Sequence, residues 1–243
     1  MHGGTRHLHD QQHMLASARP RPSDVRPPLP GAAASKLVEC AAEHDGLLTV
    51  VALGPLTNIA LALKLDPFLP SRLKHLVIMG SGGENGGVEF NFGADPESAK
   101  VVFDKFSAAS ATGQPSSLKL VGLDVTDRSL FPWLLWDSVV QRDTPKARFL
   151  QAITEQCVPD TKSYSPQGWP LADPLAVAVA LQPGIVSSSK QVHVEVEVQG
   201  SDHVAGMAIL DGKGGKGGKA KSVQLITGVD TNAFYAMCMR GLE

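Results

Sequence analysis

Glu89, Asn91 and Asn85 stand among five glycines in the stretch Gly82-Gly83-Glu84-Asn85-Gly86-Gly87-Val88-Glu89-Phe90-Asn91-Phe92-Gly93-Ala94-Asp95-Pro96-Glu97. In an extended segment Glu89 and Asn91 project to one side and Phe90 to the other, back into the protein. A carboxylate only accepts hydrogen bonds, whereas a carboxamide donates and accepts. The pair therefore suits the hydroxyls of a polyol. The same residue types also build turns, where Asn and Gly serve backbone geometry alone. The residues by themselves leave both readings open.

The elements around this loop favour a ligand site. An apolar run at 73–79 precedes it and reads as a buried strand; residues 98–106 follow as a helix. Loops at the carboxyl ends of strands are where open α/β sheets bind polar ligands. Asp95-Pro96 opens the helix, the aspartate as cap and the proline at the first helical position. Asp173-Pro174 repeats the device before residues 175–181, which are apolar all round and so read as a buried helix. Further helices are expected at 32–44, 59–65 and 145–157, the last with Phe149, Leu150 and Ile153 on one side, with a final helix from Asp230 or Thr231. The continuous apolar run at 47–53 reads as a strand covered on both faces, and 118–123 as another apolar strand. Near the C-terminus, Val192, Val194, Val196 and Val198 alternate with His193, Glu195 and Glu197, a half-exposed strand with the latter three facing water. Strands at 204–210 and 223–227 follow, joined by the Gly- and Lys-rich residues 212–221. The order predicts an open, mostly parallel sheet with helices on both faces and a β-hairpin extension near the C-terminus.

Composition excludes several classes. A net charge of -2 gives no electrostatic case for nucleic acid or an anionic membrane, and no apolar run is long enough to span one. Residues 1–31, rich in proline and carrying His2, His7, His9 and His13, lack an apolar core and read as a loop or disordered segment before one domain, 32–243. Cys40, Cys157 and Cys238 are odd in number and far apart, which fits a reducing, cytoplasmic setting rather than a disulfide framework. A dinucleotide-binding oxidoreductase lacks its GxGxxG after a first strand, and residues 212–221 do not fit a phosphate loop.

Three ordered motifs carry a resemblance. Val51-Ala52-Leu53-Gly54-Pro55-Leu56-Thr57-Asn58-Ile59-Ala60 resembles the ALGPLTNIA turn of the nucleoside hydrolases of the inosine–uridine-preferring type. Val88 to Glu97 resembles their AEFN…DPEA segment, and Asp173-Pro174-Leu175-Ala176-Val177 is similar to their DPLAV helix start. Gly122-Leu123-Asp124-Val125-Thr126 falls where the family has a similar strand end. The resemblance implies hydrolysis of the N-glycosidic bond of purine or pyrimidine ribonucleosides to free base and ribose, with a calcium ion in the pocket. By the same resemblance Asp173 is a calcium ligand, Leu53 ligates through its backbone carbonyl, and Glu89, Asn91 and Asn85 bind the ribose hydroxyls. Asn85 lies closer to Glu89 than the family spacing. Asp95 reads as a helix cap, and Trp169 as structural.

The family's opening strand and its DxDxxxDD motif, source of further calcium ligands and the general base, have no counterpart in residues 1–30. No catalytic residue is therefore identified. The expectation is a sheet lacking its N-terminal strands, with an open edge and an exposed apolar face that makes a homo-oligomer plausible. Ala172 replaces the histidine that many members carry before the aspartate of DPLAV. Two function classes remain: a nucleoside hydrolase, active or inactive in this form, and a non-catalytic nucleoside- or ribose-binding remnant or partner-dependent interaction protein.

Overall fold

The computed structural model describes residue 29 and residues 31–83, 86–114, 117–212 and 221–242. A six-stranded sheet runs in the order β1 (Leu48–Ala52), β2 (Leu73–Met79), β3 (Leu118–Val121), β8 (Val223–Val229), β6 (Val186–Val196), β7 (Ala208–Asp211). The first four are parallel; β6 and β7 add antiparallel. The expected architecture holds. A second ribbon pairs β4 (Phe131–Pro132) with β5 (Gly168–Trp169).

Strand alternation splits the core in two. Leu76, Ile78, Leu118, Leu120, Val223 and Leu225 face one layer, built from α1 (Ala32–Glu43), α2 (Thr57–Leu65), α3 (Leu69–Arg72) and α5 (Pro96–Ala111). Val77, Met79, Val121 and Ile226 face the other, where α10 (Ala172–Leu181) and α11 (Thr231–Gly241) pack. Helix α5 turns Ala99, Val102, Phe103 and Phe106 inward, the spacing of one helical face. Its start is fixed as expected: Asp95 accepts from Ser98 N–H at 3.0 Å and Pro96 takes the first turn. Short α4 (Phe90–Ala94) and α6 (Leu123–Asp127) sit on the carboxyl ends of β2 and β3. The segment between β4 and β5 forms α7 (Trp133–Val140), α8 (Pro145–Thr154) and α9 (Cys157–Tyr164).

The structure corrects several local expectations. Strand β1 is not doubly covered. It occupies a sheet edge, and all five of its residues are only partly buried. Apolar content does not report strand order, and the edge position is set by topology. The expected open edge is thus present among the described residues, with Leu47 and Leu53 exposed beside it. The 145–157 helix is two helices, and Phe149 and Ile153 face solvent while Ala147 is buried. His193 is buried rather than exposed. Residues 202–206 are turns, so β7 starts later than expected. The Gly- and Lys-rich loop at 213–220, the segment before residue 29, and Asn85 lie outside the described residues.

Candidate functional site

The carboxyl end of β2 makes the turn on which the site is built. Ser81 is the only non-glycine among the described residues with a left-handed φ, 79°, and it is fully buried. A side chain there is strained, so its surroundings must hold it. They do, on three sides. The Ser81 carbonyl accepts from Leu123 N–H at 3.1 Å, its Oγ accepts from Gly83 N–H at 3.2 Å, and its backbone N–H donates to the Glu89 carboxylate. Gly80 and Gly83 are required by close approach. A Cβ on Gly80 would lie 2.2 Å from the Phe92 ring, and one on Gly83 2.2 Å from the Asp124 carboxyl. The loop is thus clamped between α4 and α6.

Glu89 is the N-cap of α4. Its carboxylate accepts from Asn91 N–H at 2.9 Å and Phe92 N–H at 3.2 Å. The extended segment expected here is therefore a helix start, and Phe92, not Phe90, is the ring that enters the core, edge-on to Phe103 at 5.6 Å. The reason is capping: a glutamate that satisfies two free N–H groups begins a turn that alternation does not foresee. Both Glu89 and Asn91 are still brought into the same buried patch. Asn91 Nδ2 points to the Met79 carbonyl and sulfur, each at 3.4 Å, which leaves the amide oxygen to accept from a ligand.

Burial pushes the Glu89 carboxyl above the ordinary glutamate range, against the pull of its three backbone N–H bonds; the charge of Asp173 acts in the same upward direction. That coupling places Asp173 within electrostatic reach of Glu89. The two Asp-Pro helix starts then differ in a decisive way. Asp95 caps α5 and also accepts from the Thr57 hydroxyl. Burial acts to raise its carboxyl, and these bonds outweigh it to hold the group below the usual aspartate range. Asp173 caps nothing. The N-cap of α10 is Leu171, and no side chain bonds the free N–H groups. The expectation of a repeated cap is corrected: Asp173 sits inside the first turn with its carboxylate open to solvent on one side. The surrounding protein pushes its carboxyl upward.

Leu53 and Asp173 line one pocket of about 350 Å³ with Pro174, Val177 and Cys238. Leu53 follows β1 directly, so its backbone lies at the same end of the sheet as Ser81. A larger groove of about 700 Å³ runs between α1 and α2, but it is walled by Leu29, Ala32, Leu61 and Leu65, and its acidic residue Glu39 is paired with Lys36 at 3.0 Å. Its walls are mostly apolar, and it lies away from Glu89 and Asp173. Trp169 is packed between Trp133, 5.4 Å away, and Trp136, 4.4 Å away. Sequence reasoning did not single out Ser81, whose role needed backbone geometry to see. The glycine run around it was the available signal.

The fold defines an open-sheet α/β protein, with two carboxylates and a carboxamide at the carboxyl ends of its parallel strands, where such sheets commonly bind ligands. The family model for inosine-uridine preferring nucleoside hydrolases matches residues 2–236, and the chain belongs to that family. The inosine-uridine preferring nucleoside hydrolase of Crithidia fasciculata is 29% identical over 220 residues, covering 87% of this chain and 65% of that protein. The pyrimidine-specific ribonucleoside hydrolase RihA of Shewanella woodyi is 31% identical over 210 residues, covering 81% of this chain and 61% of its own. A solved inosine-guanosine nucleoside hydrolase superposes with a TM-score of 0.73 at 28% identity, covering 86% of this chain and 66% of its own. The chain thus spans just under two thirds of the length of these relatives.

Proposed function

We propose that this protein hydrolyses the N-glycosidic bond of purine or pyrimidine ribonucleosides, with Glu89, Asn91 and Asp173 holding the ribosyl group. Family membership supports the reaction. The observation that carries the site is the convergence of Glu89, Asn91 and Asp173, remote in sequence, on one end of the sheet.

The chemistry follows from the groups present. Glu89 spends part of its acceptor capacity on Asn91, Phe92 and Ser81 N–H, and its remaining lone pairs accept from sugar hydroxyls. Asn91 Oδ1 accepts from a neighbouring hydroxyl. Cleavage of a glycosidic bond builds positive charge on the ribosyl ring. The negative field of Glu89 and Asp173 stabilises that charge, fixed in place before reaction begins. Asn85 is assigned to the same hydroxyls on the strength of the resemblance alone.

The resemblance also implies calcium, with Asp173 and the Leu53 carbonyl as ligands. Calcium takes six to eight oxygens. Among the described residues no group of three His, Cys, Asp or Glu side chains gathers to hold a metal. Asp173 and Leu53 supply one carboxylate and one carbonyl, and these alone do not make the site. No step is routed through the ion.

Release of free base from inosine and uridine, followed by chromatography with and without chelator, tests the reading. Equal release of base and ribose supports it. Intact nucleoside after prolonged incubation, together with no ribose binding, overturns it.

Among the described residues no helix is long and apolar enough to cross a membrane. The expected nucleoside ligand, the cytoplasmic setting and the homo-oligomer formed through the open edge of β1 belong to the same proposal.

A further inference from the structure

One carboxylate serves the starts of two neighbouring helices. Strands β1 and β2 are parallel neighbours, and each is followed by a helix of the same layer, α2 after β1 and α5 after β2. The two helices pack against each other. A helix start carries free N–H groups and a partial positive charge, so two starts side by side repel, and each needs an acceptor.

The sequence provides for them unequally. The N-cap of α5 is Asp95, whose Oδ1 accepts from Ser98 N–H at 3.0 Å. The N-cap of α2 is Leu56, and no side chain caps that helix. Thr57, the first residue of α2, donates its hydroxyl to Oδ2 of Asp95, 38 residues away. Both oxygens of Asp95 are thus used, one on each helix, and its charge lies between two positive ends. Burial acts to raise the Asp95 carboxyl, and the Thr57 hydroxyl leads the hydrogen bonds that outweigh it. The bridge is therefore made to an ionised carboxylate, which forms the stronger kind of hydrogen bond.

The bridge joins two segments that carry different groups of the proposed site. Behind Thr57 lies the turn from Leu53, which lines the pocket of about 350 Å³ with Asp173. Before Asp95, through the short helix α4, lie Glu89 and Asn91. The Glu89 end is anchored by its own bonds to Asn91, Phe92 and Ser81 N–H. The other turn contains Gly54-Pro55, one residue without a side chain and one without an N–H. Its position rests on its two ends, β1 and Thr57.

We propose that Thr57 and Asp95 are positioning residues, whose bond holds the Leu53 turn in a fixed place against the loop that carries Glu89 and Asn91. Neither touches the ligand. What the bridge positions rests on the sugar reading; the coupling of the two segments does not. Thr57 is exposed and Asp95 half-buried, so the bond adds little to global stability. Its loss is expected to move the turn without unfolding the chain.

The test compares Thr57→Val, which keeps the shape and removes the hydroxyl, with Thr57→Ser, which keeps the hydroxyl. The Asp95 cap on Ser98 is retained in both. Amide hydrogen exchange reads the two segments, and calorimetric titration of ribose into the full chain reads the site. Thr57→Val is expected to speed exchange at residues 53–58 and, across the bridge, at 89–94. It is expected to weaken ribose binding about tenfold, because misplaced groups lose their contacts with a bound ligand. Tm is expected to shift by no more than about 2 °C. Thr57→Ser is expected to restore both exchange and affinity, the latter to within about twofold of wild type. Coupled exchange restored by serine, with no ribose binding by the wild type, upholds the coupling and overturns the sugar reading instead. Faster exchange confined to 53–58, or wild-type ribose affinity in Thr57→Val, overturns the positioning role.

Discussion

Replacing Ser81 by glycine and by alanine separates backbone strain from hydrogen bonding at the turn that carries the proposed sugar site. Both substitutions remove the Oγ that accepts from Gly83 N–H at 3.2 Å, a buried bond worth about 1 kcal/mol. They differ in the left-handed φ of 79°. Alanine keeps the clash between Cβ and backbone that this conformation imposes, and glycine removes it. At an ordinary helix or strand position glycine is the less stable of the two by about 0.5–1 kcal/mol. Here the order inverts, with Ser81→Gly more stable than Ser81→Ala by about 1 kcal/mol. For a chain of this size that is a Tm difference of about 2–4 °C. Urea and thermal unfolding of the two variants, run side by side, measure it. If Ser81→Ala is as stable as Ser81→Gly or more so, the left-handed turn is not the conformation in solution, and the account of how Glu89 is positioned fails with it.

Gly83→Ala drives a methyl group into the Asp124 carboxyl from a left-handed backbone and is expected to cost about 2 kcal/mol or more in urea unfolding. Asp95→Ala removes the α5 cap and is expected to cost about 1 kcal/mol by the same measurement. Asp173→Asn has the opposite sign. The native carboxyl is raised above its ordinary value of 3.8, so the folded state holds that proton more tightly than the unfolded chain. Its contribution to stability is present below the ordinary value and is lost as pH rises through the raised one. Glu89 behaves alike from its own ordinary value of 4.5. Unfolding at pH 3.5, below the ordinary value, and at pH 8 is therefore expected to show Asp173→Asn gaining stability relative to wild type at the higher pH, while its turnover falls. A variant destabilised equally at both pH values contradicts this. Phe92→Ala empties a fully buried site beside Phe103 and is expected to cost about 3–5 kcal/mol.

Much of the fold was legible because its signals are local. Residues 73–79 form the strand that their apolar run predicts, and Asp95-Pro96 starts a helix where cap and proline coincide. The same dipeptide at Asp173-Pro174 also begins a helix, but there the cap is Leu171. A dipeptide signals that a helix starts; only the path of the preceding chain decides which residue takes the cap position. Phe149 and Ile153 share a helix face as read, and that face meets water, because periodicity gives a stripe without saying what covers it. His193 was placed outside by alternation, since a two-residue period assumes one face is solvated. Glu89 and Asn91 stand out in the sequence by their chemistry and by the family's motif, and the structure brings both into one buried patch. Their helical setting was not legible, because a glutamate cap lies outside the usual set of capping residues. Ser81 was invisible for a related reason: no sequence rule predicts a left-handed serine, since its strain is balanced by Leu123 and Glu89 from elsewhere in the chain.

Calorimetric titration of ribose into wild type, Glu89→Gln, Asp173→Asn and the double variant tests the gathered pocket most directly. The account predicts saturable binding to wild type, at least about tenfold weaker binding in each single variant, and a double variant that loses less than the sum of the two, as for groups that share one ligand. Wild-type affinity in both single variants, or strictly additive losses, would show that these carboxylates do not meet on a common sugar.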